Sequence, residues 1–478
     1  MSESDKIKKN SLFSLISITS RLFANFVVFM ILARYYGPET FGQFTFAHTL
    51  AMTFLLFADF GFDILLTTEI AKSKKNAALI FQQIFSLKLI FTIISLVGMF
   101  LFTLVFDISN EARELAIVFS FFMVFTTLTN FLFALFKGFE KLNLESIISF
   151  TINIGLIIFT VAAIYFRINV IFVAVGFTIS RMIGFILGIK FSMNLVPNIK
   201  FSLLFNDLKN IRGKVLVFGF HFLFSFLFFQ LDTLLLALLK GDYYVGIYQS
   251  VFKLIMLPLV LPEIFINVLL PLLSRLNIEN HKQWKKTGSI MSKILFIIII
   301  PVSLILFIYA EEIIDIIYGL QNYHEAVNIL KIFSLIVFVR FCLEPFALML
   351  TTSNRQIVRM YVVITAAIVN LVLNIIFIPY YGLLGAAFVS LACNLFVGIL
   401  YIIVNIKLFK EWFVNSKSVI ILISSLILYY FIEDLLHINL WNGLFIIVAI
   451  YSCLAYFYFF SKEEKSLLLS YNFTSRKT

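Results

Sequence analysis

Apolar residues run along this chain in long blocks separated by short polar connections. Taken as helices, the blocks fall at residues 11–33, 41–65, 79–106, 114–136, 144–165, 170–191, 213–239, 244–271, 289–309, 326–350, 357–378, 383–406, 417–436 and 440–460. An apolar run of about 20 residues crosses the hydrocarbon layer as an α-helix. The period-2 alternation of a membrane barrel is absent. Open strands would leave N–H and C=O groups unpaired in lipid. The pattern therefore predicts an all-α polytopic membrane protein of about fourteen transmembrane helices, with no connection large enough to house an enzyme.

Composition sharpens this reading. The chain is 61% hydrophobic and 13% charged, with 60 Phe, whereas a soluble domain carries about 25% charged residues. Its formal charge of +11 does not gather into a nucleic-acid-binding domain. The basic residues recur instead in alternate connections: Lys6, Lys8 and Lys9; Lys72, Lys74 and Lys75; Lys137 and Lys141; Arg275, Lys282, Lys285 and Lys286; Arg355 and Arg359; Lys407 and Lys410. The opposite side holds Arg34, Arg113, Arg167 and Lys240 among acidic residues such as Asp107, Glu111, Glu311, Glu312 and Asp315. The positive-inside rule then places both termini in the cytoplasm, which requires an even number of spans. Residues 1–10 read as a retained cytoplasmic tail, not a cleaved signal. Cys342, Cys393 and Cys453 fall inside apolar spans with no metal-ligand spacing and read as small fillers. No cofactor or metal is predicted.

The chain also repeats itself. Aligned without gaps, Leu32, Ala33, Gly37 and Gly42 match Leu236, Ala237, Gly241 and Gly246, and Phe44 faces Tyr248. In both copies the segment is a helix, a tight Gly turn and a second helix. A weaker echo sets Tyr165–Gly184 against Pro379–Gly398. Internal repeats in a helical membrane protein are a transporter signature, with the substrate site between the halves. The predicted layout is a tail at 1–10, a six-helix bundle at 11–191, a cytoplasmic linker at 192–212 and a second six-helix bundle at 213–406. Two extra spans at 407–460 and a tail at 461–478 complete it.

Several of these segments resemble a known family. ARYYGPETFGQF (Ala33–Phe44), LDTLLLALLKGDYYVGIYQSVFKL (Leu231–Leu254) and NLVLNIIFIPYYGLLGAAFVSLACN (Asn370–Asn394) are similar to those of the Wzx-type polysaccharide repeat-unit flippases. So are FKGFEKLN (Phe136–Asn143) and LPEIFINVLLPLLSRL (Leu261–Leu276), and the resemblance covers roughly residues 11–410. It departs at LTTSNRQ (Leu350–Gln356), which lacks the usual turn Gly, and over the last two spans. The wider superfamily includes multidrug exporters and the lipid II flippase. The resemblance implies movement of an undecaprenyl-diphosphate-linked oligosaccharide out of the cytoplasmic leaflet of a bacterial inner membrane, for O-antigen or capsule synthesis. It also implies two bundles around a cleft that opens alternately to each side, a polysaccharide polymerase and chain-length regulator as partners, and proton or sodium coupling.

Ionisable side chains inside spans are costly and usually face a cavity or each other. Ser14, Ser17, Arg21 and Asn25 form one stripe on the first span, and His221, Ser225 and Asp232 one on the seventh. Arg21 and Arg181 sit mid-span, where a guanidinium fork suits the implied diphosphate. Their alternative is burial against a carboxylate such as Asp59 or Asp232. Lys88 and Lys253 join Arg21, Asn25 and Arg181 as candidate lining groups, with snorkelling as the other reading. Asp59, Asp63, Asp232 and Glu263 are candidates for ion coupling, Glu263 on a helix interrupted by Pro258, Pro262 and Pro271. Arg340 and Glu344 read as an ion pair one turn apart. Arg34, Gly37, Gly42, Gly241 and Gly246 define the loop motif and its turn geometry. Two rivals remain at this stage, a cation-coupled multidrug exporter and a membrane polysaccharide polymerase or ligase. The outward segment at Ala310–Glu325 is short for the enzyme.

Overall fold

Hydrocarbon offers the backbone no water to bond, so each apolar block must close its own hydrogen bonds as a helix. A computed structural model describes residues 3–196, 199, 228–412, 416–435, 438–461 and 464, and the side chains of these except 3–22, 416, 434 and 435. The helices are α1 (Glu3–Asp59), α2 (Phe62–Lys72), α3 (Ala77–Val105), α4 (Asn110–Gly138), α5 (Leu142–Tyr165), α6 (Val170–Leu195) and α7 (228–240). They continue as α8 (Asp242–Glu279), α9 (His281–Ile308), α10 (Ala310–Tyr318), α11 (Leu320–Tyr323), α12 (Ala326–Thr352) and α13 (Gln356–Val404). The last are α14 (Ile406–Trp412), α15 (Ser416–Tyr430) and α16 (Leu440–Leu454). Among the described residues, ten helices are long and apolar enough to cross a membrane, or eleven if the bent pair around residues 406–433 is one span. Two of the ten are really pairs, because α1 breaks at Gly37 (φ 78°) and α13 at Gly382 (φ 55°). Division there recovers the sequence-based spans over the described residues apart from 41–65, which breaks after Asp59, and 417–436, which counts only with the bent pair; of 213–239 only 228 onward is described.

The described chain divides into two compact units, Met1–Leu254 with Ala367–Ala386, and Ile255–Ala366 with Ala387–Thr478. In the first, α6 packs against α4 and α5, and α1 against α3, α4 and α5. The contact is close because Gly176, Ser180, Gly184 and Gly188 recur every four residues on α6, facing Phe159, Gly155, Ile152 and Leu132. Small residues at this spacing let membrane helices approach. The outward faces are apolar: on α3, Ile93, Val97, Leu101 and Leu104 are each more than half exposed.

The sequence repeat has a structural counterpart inside this first unit. Gly37 and Gly241 both take the left-handed backbone, φ 78° and 94°, and each turns one helix into the next. A Cβ on Gly42 would strike the carbonyl of Asp242, and one on Gly246 would strike that of Pro38. The two hairpins therefore pack reciprocally, each glycine under the other's turn. Tyr36 Oη donates to the Ile168 carbonyl at 2.6 Å and ties the first turn to the α5–α6 connection. This seating explains why the start of α8 belongs to the first compact unit, although the repeat assigns it to the second half.

Span 41–65 is not one helix. Phe60 (φ 41°) and Gly61 (φ 89°) interrupt it between α1 and α2, with Asp59 and Asp63 on either side. The segment at 310–325, read as an acidic outward loop, holds two short helices instead. Ala310, Ile314 and Tyr318 bury one face of α10 and leave Glu311, Glu312 and Asp315 outside, a period the acidic composition concealed. α8 stays helical through Pro258, Pro262 and Pro271.

In the second unit α9 packs on α12, with Ser303 Oγ donating to the Ser334 carbonyl at 2.6 Å. Lys293 Nζ lies 2.6 Å from Glu464 Oε1 and ties the chain after α16 to α9. The α12–α13 turn, which lacks the family's Gly, uses Asn354 at φ 60° in its place. Asn tolerates this conformation because its short polar side chain bonds locally.

Replacing Gly42 by Val should lower thermal stability in detergent by about 1–3 kcal/mol, as overpacking does. Gly246→Val should match it, because the two contacts are reciprocal. A melting temperature unchanged by either substitution would contradict the reciprocal seating.

Candidate functional site

Three polar constellations lie inside the first unit. The first is built on aromatic rings. Phe29 on the first limb of α1 meets His48 on its second limb, ring centroids 5.4 Å apart, and His48 lies 5.5, 5.6 and 6.2 Å from Phe119, Phe122 and Phe177. Two cations sit on this cluster. Lys253 Nζ is 4.2 Å from the centroid of Phe29, and Arg181 Cζ is 5.6 Å from that of Phe122. Both act electrostatically on His48. The electron-rich face of a ring attracts a cation, most strongly where water is scarce, so the rings offset part of the cost of holding two positive charges at span depth. Lys253, Arg181 and His48 are half-buried. Among the described residues Lys253 has no carboxylate partner. Asn25, also half-buried, lies one turn before Phe29. The side chains of Ser14, Ser17 and Arg21, and residues His221 and Ser225, lie outside the described residues.

The second is an ion triad across the Phe60–Gly61 break. Lys88 Nζ of α3 donates to Asp59 Oδ1 at 2.5 Å and to Asp63 Oδ1 at 2.8 Å. The backbone N–H of Asp63 donates to Asp59 Oδ1 at 3.3 Å, so one carboxylate bridges the two helix ends. Lys88 is 0% exposed. It was expected among the lining groups or snorkelling to an interface, and it does neither here: with two carboxylates in reach, its ammonium is satisfied in place.

The third surrounds Asp232 on α7, which is 1% exposed. Tyr248 Oη donates to its Oδ2 at 2.6 Å. Asn370 and Asn374 of α13 donate to its Oδ1 at 2.9 and 2.6 Å. The carbonyl oxygen of Asn374 is buried without a hydrogen-bond donor. Asn370 and Asn374 stand one turn apart in an apolar span, a signal that the sequence carries. Phe29 and Phe122 are two of 60 Phe, and nothing in the sequence singles them out.

The remaining candidates lie elsewhere. In the second unit Arg340 Nε donates to Asn394 Oδ1 at 3.1 Å and feels the charge of Glu344. Glu344 Oε1 lies 4.0 Å from Arg359 Nη2. Glu263 is exposed on α8. Arg34 is exposed beside the Gly37 turn. No cluster of three or more His, Cys, Asp or Glu able to hold a metal is found among the described residues.

Comparison with known proteins follows the same lines. Residues 7–277 match the family model described as polysaccharide biosynthesis protein, and residues 218–376 match the MatE model. A putative O-antigen transporter of Escherichia coli (strain K12) is 28% identical over 149 residues, which cover 30% of this chain and 35% of that protein. The fold resembles that of the lipid II flippase MurJ in its inward closed conformation, with a TM-score of 0.73 and 16% identity over 93% of this chain and 98% of that one. It also resembles an inward-facing multidrug resistance MATE family transporter of the MOP superfamily, with a TM-score of 0.65 and 15% identity over 83% of this chain and 96% of that one. With its helical spans and a match over more than half of its length, this multi-pass membrane chain belongs to the polysaccharide biosynthesis protein family.

Proposed function

We propose that the protein carries oligosaccharide repeat units linked to undecaprenyl diphosphate across the bacterial cytoplasmic membrane by alternating access, with both termini cytoplasmic. The observation that carries this reading is the pair of ring-supported cations around His48. Lys253 and Arg181 present positive charge at span depth on half-buried side chains. A diphosphate anion moving through hydrocarbon needs such donors, and a guanidinium can take two phosphate oxygens at once. Asn25 is the neutral polar group on the same face of α1, suited to a sugar hydroxyl. The same charge disfavours cationic drugs, which argues against the multidrug reading that the fold alone would permit. Repeat units delivered in this way would pass to a polysaccharide polymerase and its chain-length regulator.

We assign ion coupling to the enclosed carboxylates. Asp232 is ringed by a hydroxyl and two amide groups, and the buried carbonyl oxygen of Asn374 beside it suits a hard monovalent cation. The Asp59–Lys88–Asp63 triad carries a net negative charge when fully ionised, which in hydrocarbon favours uptake of a proton. Glu263, exposed on α8, has no such enclosure.

In a host lacking the gene, complete single repeat units should collect on the cytoplasmic face, beyond the reach of an externally added probe. Unpolymerised units already outside would move the role to polymerisation or ligation. An untouched glycan with raised drug sensitivity would mean drug export. Arg181→Gln and Lys253→Gln should each slow translocation by about 10- to 100-fold, the worth of a hydrogen bond to a charged group, with protein level unchanged. Asp232→Asn should abolish dependence on a sodium or proton gradient in reconstituted vesicles; an unaltered dependence would remove Asp232 from coupling. Lys88→Met should destabilise the protein by about 3–5 kcal/mol by taking the buried ammonium from two half-buried carboxylates. Adding Asp59→Asn and Asp63→Asn to it should restore most of the loss in a detergent melt.

A further inference from the structure

A cavity of about 520 Å³ opens in the second unit, lined by no residue of the three constellations above. It lies where three connections meet at the basic end of the helices: the α8–α9 junction, the α12–α13 turn and the α13–α14 junction. Its lining includes His281, Lys285, Arg355 and Lys407, with Asn277 and Asn405 between them and no carboxylate. Glu411 lies outside the lining, 3.9 Å from Lys285, in an exposed pair that holds little of that charge. Trp284 forms the wall, its ring stacked on His281 at 4.7 Å and its Nε1 donating to Thr352 Oγ1 at 3.0 Å. That wall is fixed, since Trp284 is only 5% exposed. The N-cap of α13, Arg355, makes no side-chain cap, so the first N–H groups of that helix add positive potential at the same mouth. A second cavity of about 280 Å³ shares Asn277 and is lined by Ser274, Thr351 and Thr352. It offers hydroxyl and amide groups and no charge.

We propose that these two neighbouring cavities, which share Asn277, bind a phosphate ester with a hydroxylated headgroup, the phosphate on Lys285, Arg355 and Lys407 and the hydroxyls along Asn277, Ser274 and Thr351. The volume falls in the range of about 300–1,000 Å³ of small-molecule sites. The chemistry fits the headgroup of an anionic phospholipid, and basic pockets at the ends of membrane helices favour such lipids. A soluble phosphate ester would present the same group.

The test uses the delipidated full-length protein and native mass spectrometry. Phosphatidylglycerol should bind about tenfold more tightly than phosphatidylcholine. The Lys285→Gln/Arg355→Gln/Lys407→Gln variant should lose that preference while melting like the parent without lipid. The variant Lys72→Gln/Lys74→Gln/Lys75→Gln, altered on a basic connection of the first unit, should keep it. If inorganic phosphate alone raises the melting temperature of the parent but not of the first variant, and the lipid preference is absent, the ligand is a soluble phosphate ester. Equal binding of both lipids with no effect of phosphate overturns the site. So does an equal loss in the two variants, which would reduce the effect to general surface charge. The single substitution Lys407→Gln, on an exposed side chain, should give an intermediate loss and guards against misfolding of the triple variant.

Discussion

Hydrocarbon gives a charge or an open backbone group nothing to bond, and every feature of this protein answers to that constraint. Backbone groups are closed within helices, and where the helices break, at Gly37, Gly61, Gly241 and Gly382, the break is a turn of one or two residues. Side-chain charges are met individually: Lys88 by two aspartates, Asp232 by a tyrosine and two asparagines, and Lys253 and Arg181 by ring faces. These solutions differ in kind. A lysine between two carboxylates is held by opposite charge, whereas a cation over a ring is held by the ring's electron-rich face.

That difference separates structure from chemistry within one unit. The triad staples α3 to the α1–α2 break and holds the geometry of a helix that would otherwise fray there. The rings around His48 support two cations, Lys253 and Arg181, through their faces. The aromatic richness that first reads only as membrane solvent compatibility thus has a local use as well.

The repeat and the compact units are different divisions of the chain, and glycine explains why. Gly42 and Gly246 admit each other's turn so closely that any side chain would collide with a backbone carbonyl. The second copy's hairpin is consequently seated on the first copy's, and α8 and α13 each run through both units. Pro258, Pro262 and Pro271 lie in the part of α8 beyond that seat, where helical backbone continues despite the missing donors.

By itself the sequence determined the solvent, the helices and the repeat. Long apolar blocks have one stable form in lipid, and Gly37, Gly42, Gly241 and Gly246 announce their turns because few other residues take a positive φ or permit such contact. It also marked nearly every ionisable group that matters, since a charge inside a span is conspicuous. What it left undetermined was pairing. Lys88 meets aspartates 25 and 29 residues away, and Asp232 meets asparagines 138 and 142 residues away, distances that no helical period encodes. The break at Phe60, the left-handed Asn354 and the choice of Phe29 and Phe122 among so many rings were likewise decided by tertiary packing. Periodicity reports which face a residue occupies, and only the neighbouring helix determines what that face meets.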